Sequence, residues 1–299
     1  MAGLKEIKRR LTSVRNTRKI TYAMKLVSTA KLRKAQDAVT KAREYTSAMR
    51  EVIVDLLSEG TTADFSHPLI RGHTQVKKVR ILVVGGSRGL CGGYNTNIHR
   101  RLETLLREKA EQYPHVTIDL VLLGRKPAEY CRRRGKSCLK SYEQLPDDAN
   151  KWPVEEVCKE IEHAFVAGDV DEVVILYTRF KSAISQTVIT EKLLPMDGAA
   201  IASDVEKASL HALGVTLFEP SVAAVWNALV PRILHTRVRQ AFLDAKASET
   251  GARMTAMDSA TKNSGELIQK LQLSYNKLRQ GRITAELLDI VGGAEALSK

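Results

Sequence analysis

The stretch best placed to do chemistry is Gly85–Asn95, GGSRGLCGGYN. It follows an apolar, β-branched run and precedes a helical pattern, which is where glycine-rich phosphate loops sit. Its spacing fits neither phosphate loop. A P-loop requires GxxxxGK followed by Ser or Thr, and this stretch contains no lysine; the dinucleotide pattern GxGxxG is missing from it too. The stretch reads instead as a tight structural turn or a docking surface. Cys91 within it could act as a nucleophile only beside a base, and the sequence offers none. The seven histidines do not cluster, no HExxH occurs, and His99 and His115 read as surface residues. Of the four cysteines, Cys91, Cys131, Cys138 and Cys158, only Cys131 and Cys138 lie near each other. No second pair stands at zinc-ligand spacing. They read as buried or incidental thiols in a reducing compartment, and Arg132–Arg134 as a solvated helix end. No catalytic residue, cofactor or metal is expected.

The elements around this stretch carry the stronger pattern. From Met254 to the C-terminus, apolar or small residues recur at Met254, Met257, Thr261, Ser264, Ile268, Leu271, Tyr275 and Leu278. The steps alternate three and four, which predicts a left-handed coiled coil. The same alternation links Ala35, Ala38, Ala42, Tyr45, Met49, Val52 and Leu56. The two ends of the chain are therefore expected to wrap around each other. Residues 4–58 read as one helix of roughly 80 Å. Its seam starts at Leu4, Ile7, Leu11 and Val14 and shifts phase through Ile20, Met24 and Val27 before the regular run.

Residues 60–78 read as a linker. Strands are expected at Val79–Gly86, Val116–Gly124, Asp171–Phe180 and Ser185–Leu194, the last two forming a hairpin. Helices are expected at Thr96–Gln112, Pro127–Arg134 and Val154–Val166. This alternation predicts a small Rossmann-like α/β domain with a mostly parallel sheet. Residues 196–215 read as a connection. A helix then starts near Ser221 and runs towards residue 296, kinked or broken at Pro231. Gly251, Gly265 and Gly281 are costly inside a helix, and at least one is expected to permit close backbone approach. The expected division is an N-terminal coiled-coil helix over 1–60, a central α/β domain over 76–195, and a C-terminal coiled-coil helix over 216–299.

The net charge is +13. Residues 1–50 carry 14 Lys/Arg against three acids, and residues 221–299 carry 11 against seven, so the excess sits on the terminal arms. Basic arms favour an acidic partner: nucleic acid, anionic lipid or an acidic protein surface. No window is apolar enough to span a membrane. The N-terminus lacks the apolar run and cleavage site of a secretory signal, so a cytosolic, bacterial chain is expected. Composition leaves three classes: a mechanical subunit whose helical rod enters a partner, a nucleic-acid-binding coiled coil, and an α/β enzyme with helical arms. Basic and seam residues are interleaved all round the arms. Aromatics there are limited to Tyr22, Tyr45, Trp226, Phe242 and Tyr275, and both features argue against a duplex.

Three motifs separate these classes. LKEIKRRLTSVRNTRKITYAMKLVSTAKLRKAQ, Leu4–Gln36, resembles the gamma subunit of F-type ATP synthases. So does RMTAMDSATKNSGELIQKLQLSYNKLRQGRITAELLDIVGGAEAL near the C-terminus, where Ile283, Thr284, Glu286, Asp289, Gly293 and Ala294 match the family signature. GLCGGYN, Gly89–Asn95, is similar to the family's motif after the first strand of its central domain. The resemblance covers both arms and the middle.

It implies an antiparallel coiled coil of the terminal helices with a small α/β domain at its foot. It also implies a role as the rotary motor's central shaft. That shaft is enclosed by three alpha and three beta subunits and rests, with epsilon, on the membrane c ring. No nucleic acid and no direct membrane insertion are implied, and the chain would be a peripheral part of the F1 sector at the cytoplasmic face of the bacterial membrane. In the family, the positions of Arg279, Gln280, Thr284 and Glu286 contact a loop of beta, and Met24 in the KITxAM segment lies near the same zone. Here that segment reads KITYAM, with Tyr22 where the family usually has Lys. The regulatory cysteines of chloroplast relatives sit in an insertion this chain lacks, so thiol control is not expected.

Overall fold

The computed structural model describes residues 2–59, 67–73, 75–196 and 218–297. The expected linker over 60–78 lies partly outside these residues, and the connection over 196–215 almost wholly so. Helix α1 spans Ala2–Glu59. There follow β1 (Lys78–Val84), α2 (Tyr94–Gln112), β2 (Thr117–Leu123), α3 (Arg125–Arg133) and β3 (Lys140–Tyr142). A 3₁₀ turn at Ala149–Lys151 leads to α4 (Val154–Val166), β4 (Glu172–Phe180), β5 (Gln186–Leu194) and α5 (Val222–Leu297). The expected strands and helices are all present. The short edge strand β3 and the 3₁₀ turn are additional. Helix α5 runs through Pro231 without a break, so of the expected kink or break the break is excluded. Proline removes one backbone hydrogen bond, and the packing of the buried neighbours Val230, Ile233 and Leu234 keeps the helix continuous.

The chain divides into two compact units: residues 1–29 with 253–299, and residues 30–252. In the larger unit the strand order is β3-β2-β1-β4-β5. The first four strands are parallel, and β5 returns antiparallel to β4, as its hairpin pattern predicts. The central strands read as continuous apolar runs because both faces of the sheet are covered. On one face Ile98, Leu102 and Leu105 of α2, spaced for a single helix side, pack with Val79, Ile81, Val83, Leu120 and Leu122. Each such side chain contributes roughly 1.5–3 kcal/mol on full burial.

Within the same unit Asp147 holds two helices. Its carboxylate pairs with Lys31 of α1 and, at 3.1 Å, with Lys246 of α5. These ammonium groups, Lys31 first, hold its pKa down to about 2. A depressed carboxylate stabilises the fold above the unfolded value, about 4, and loses that contribution as pH falls towards 2. Half exposure keeps the contribution small, below about 1 kcal/mol. Asp147→Asn is expected to flatten the acid side of the stability profile over that window. Acid unfolding followed by circular dichroism checks it, and an unchanged midpoint would count against the clamp.

The seam of α1 differs from the expected one. Buried and half-buried positions run Leu4, Ile7, Leu11 and Val14, then Thr21, Lys25 and Ser28, then Leu32, Ala35, Val39, Ala42, Thr46, Met49, Ile53 and Leu56. With exposed Arg18 at the skipped step, the three–four alternation never changes phase. Ile20 and Val27 are 60% and 56% exposed, and Tyr45 and Val52 also face solvent. The phase is kept by small polar residues, Thr21 and Ser28, which fit a narrow helix–helix gap. The α5 seam agrees with expectation from Met254 to Tyr275, and Leu278 is exposed.

Candidate functional site

The glycine-rich stretch forms the turn from β1 into α2. Gly86 N–H donates to Asn95 Oδ1 at 3.0 Å, and Asn95 Nδ2 reaches Cys91 Sγ at 3.2 Å. Leu90 and Gly92 take positive φ, which closes the turn. Gly124 at the end of β2 has φ +100°, and a side chain there would collide with the Gly85 carbonyl. The turn stands at the carboxyl ends of β1 and β4, where the strand order reverses and open α/β sheets place their ligands. Here α5 fills that place. Tyr94 Oη donates to Ala245 O at 3.1 Å, and Ser248 Oγ donates to Thr178 O at 3.0 Å. A Cβ on Gly251 would lie 3.2 Å from Gln186 Nε2 and 3.4 Å from Ala183 O. Gly251 is therefore the helix glycine that permits close approach; a Cβ on Gly265 would make only ordinary contact with Arg18 at 3.9 Å, and Gly281 has open surroundings.

The thiols are quiet. Cys91, Cys131 and Cys158 are buried and Cys138 is exposed, and none of the four is in a disulfide. Burial pushes the Cys131 thiol up to about 11, the opposite of an activated nucleophile. His99 is not a plain surface residue: its ring stacks on Tyr130 at 4.2 Å, and burial lowers its pKa. His115 is exposed.

In the smaller unit the two arms pair antiparallel. Lys25 meets Asp258 at 2.7 Å, the hydroxyls of Thr21 and Thr261 lie 2.9 Å apart, and Arg15 donates to Gln272 at 3.1 Å. Beyond Tyr275 the character changes, and every residue from Asn276 to Val291 is exposed. Arg279, Gln280, Thr284 and Glu286 lie on this tail together with Ile283 and Asp289, while Gly293 and Ala294 continue its helix. Thr284 Oγ1 donates to Gln280 O at 3.0 Å, and Glu286 pairs with Arg282 at 2.7 Å. Met24 is half-buried on α1 beside the Lys25–Asp258 pair. Asp258 and Arg279 are twenty-one residues apart, roughly 30 Å of helix. The structure thus gathers the four tail residues and does not bring Met24 to them.

The sequence reading missed the tail's apolar side chains. Leu278, Ile283, Leu287, Leu288, Ile290 and Val291 are all exposed large hydrophobics, Leu288 and Ile290 by about two thirds. At about 100° per residue all but Leu278 fall within an arc of about 160°, and Arg279, Arg282, Glu286 and Asp289 share the other side. An exposed apolar stripe of this kind marks a contact surface, and no other described residue covers it. The available signal was that apolar residues continue beyond the end of the seam at Leu278.

One unit is thus an antiparallel helical pair with an uncovered apolar tail. The other is a mostly parallel α/β sheet whose ligand-binding edge is plugged by the chain's own helix. Together they define an α/β protein with long helical arms. A family model described as ATP synthase matches residues 3–297. The ATP synthase gamma chain of Moorella thermoacetica is 42% identical over 297 residues, covering 99% of this chain and all of the relative. That of Heliobacterium modesticaldum is 39% identical over 298 residues, with the same coverage. The chain belongs to the gamma-chain family of ATP synthase.

Its fold is also that of the rotor of Euglena gracilis mitochondrial ATP synthase. The match has TM-score 0.60 and 19% identity, and covers 94% of this chain and 98% of that one. A chain of the OSCP/F1/c-ring assembly from the same organism matches with TM-score 0.62 and 20% identity, covering 98% and 94%. Nothing in these similarities supports the nucleic-acid reading. Among the described residues, no helix is long and apolar enough to cross a membrane.

Proposed function

We propose that this chain is the turning central shaft of a bacterial F-type ATP synthase. It couples ion flow through a membrane c ring to the catalytic beta subunits, with no catalytic residue of its own. The observation that carries this reading is the exposed tail, whose large apolar side chains from Leu278 to Val291 are left uncovered among the described residues. Three alpha and three beta subunits form the cover it requires. The α/β domain over 76–195 is the foot, resting with epsilon on the c ring, and the complex lies at the cytoplasmic face of the cell membrane. Arg279, Gln280, Thr284 and Glu286 meet a carboxylate-bearing loop of beta. A guanidinium can pair bidentately with such a carboxylate. Met24 makes a separate contact further along the arm. Charged, screened contacts suit a part that must leave each orientation after visiting it. Coupling is then a difference in free energy between shaft angles, expressed as the affinity of each beta site.

Native mass spectrometry of the tagged chain purified from its own cells tests this. The expected complex contains three alpha, three beta and one copy of this chain. A monomer or homodimer retaining nucleic acid, with steeply salt-dependent duplex binding, would overturn the proposal in favour of the basic-arm alternative.

A further inference from the structure

Away from the tail and the glycine-rich turn, the larger unit contains a cavity of about 570 Å³ between α1, α5 and the β4–β5 hairpin. Its size is that of a small-molecule site. Four guanidinium groups line it, those of Arg43, Arg50, Arg179 and Arg237, against two carboxylates, Asp244 and Glu191. Arg43, Arg50 and Arg179 are already engaged. Arg43 donates to Phe180 O at 2.8 Å and lies 3.4 Å from Asp244, and Arg179 lies 3.8 Å from Glu191. Arg237 is half-buried on the wall and forms no ion pair among the described residues.

Gln240 is one turn further along α5. Both of its amide atoms are buried and lack a well-formed hydrogen bond. The group lies beside Asp244, whose pKa burial raises to about 6 while Arg43 and then Gln240 oppose the rise. A buried amide left in this state is costly. The remaining wall is apolar, formed by Met49, Ile53, Val54 and Ile233. The cavity thus joins the Arg237 guanidinium, a poorly bonded amide and an apolar wall. Water can hydrate the first two and leaves the wall unmatched.

We propose that this cavity binds a phosphate head group carrying a short alkyl portion, with Arg237 as the anchoring cation, Gln240 donating to a phosphate oxygen, and the alkyl portion on Met49, Ile53 and Ile233. A soluble organic phosphate and a phospholipid both have this chemistry. The assignment does not depend on the shaft reading.

Calorimetric titration of the purified complex containing this chain, with hexyl phosphate and with inorganic phosphate, tests it. Each buried methylene adds about 0.8 kcal/mol, so hexyl phosphate is expected to bind at least roughly tenfold more tightly than inorganic phosphate. Arg237→Gln is expected to weaken hexyl phosphate at least about tenfold and Arg237→Lys to recover part of the loss. Gln240→Leu, which keeps the shape and removes the donor, is expected to weaken it several-fold. Phosphatidic acid vesicles compete with hexyl phosphate if the source is a lipid and fail to compete if it is a soluble compound; both results carry the site. Absence of hexyl phosphate binding, equal affinity for inorganic phosphate, or affinity insensitive to both substitutions would overturn it.

Discussion

Deleting Arg279–Lys299 leaves the rest of the chain folded and abolishes most ATP-driven ion pumping while ATP hydrolysis persists. The folding half of this expectation follows from burial. The last described partner of α1 on the smaller unit's α5 segment is Gln272, and Tyr275 is the last half-buried seam residue. Everything removed that the structure describes by burial is exposed. The functional half follows from what remains. On the shaft reading proposed above, the beta sites without the tail keep their catalytic groups but lose the contact that makes their affinities depend on shaft angle. A coupling of 1–3 kcal/mol corresponds to about 5–150-fold. Pumping per ATP in inverted vesicles is therefore expected to fall roughly tenfold or more. Arg279→Gln with Glu286→Gln, which removes two charges and leaves the apolar side chains in place, is expected to cost only a few-fold. Equal pumping per ATP in the deletion variant would defeat the argument, and so would the double substitution proving as severe as the deletion.

The α/β layer was legible in the sequence because each of its elements carries its own period. Val79–Val84 is an apolar, β-branched run interrupted only by Arg80; Ile98, Leu102 and Leu105 mark one helix face; and Gln186–Leu194 carries the β-branched residues Thr187, Val188, Ile189 and Thr190 in succession. Strand β3 was not legible. Three residues, Lys-Ser-Tyr, are too short to show a period, and their pairing with Val121–Leu123 is a tertiary fact.

The coiled-coil phase in α1 was half legible. Ala35, Ala42, Met49 and Leu56 belong to both possible seams. The choice between Ala38 and Val39, or between Val52 and Ile53, rests on which side chain the partner surface accepts, and Val39 and Ile53 are the buried ones. Further towards the N-terminus, Thr21 and Ser28 took the seam from Ile20 and Val27. Hydropathy alone ranks those pairs the wrong way round. What reverses the ranking is the narrow gap between antiparallel arms, joined there by the Thr21–Thr261 hydroxyl pair and the Lys25–Asp258 ion pair. The apolar residues turned outward are then surface for something else. The tail shows the same thing in stronger form, since a composition that looks like core is exposed in the isolated chain.

The foot of the sheet holds a charge whose partner can be removed. Glu172 opens β4 and is buried, with its side chain 3% exposed. Lys109 of α2 reaches it at 2.5 Å, and Tyr113 Oη donates to its other oxygen at 2.9 Å. The same pairing raises the Tyr113 pKa, burial first and the Glu172 carboxylate next. Lys109→Met keeps the length and apolar stem of the lysine and deletes only its charge. The carboxylate is then buried with a single neutral donor, a loss of about 3–5 kcal/mol for one partner of a buried pair. For a unit of this size that lowers the thermal midpoint by roughly 6–20 °C. Adding Glu172→Gln to Lys109→Met is expected to recover most of the loss at neutral pH, which separates a stranded charge from lost packing. Differential scanning calorimetry of the original protein and the two variants reads the effect. A midpoint lowered by less than about 2 °C, or a double variant no better than the single one, would mean that the pair contributes no more than a surface ion pair does.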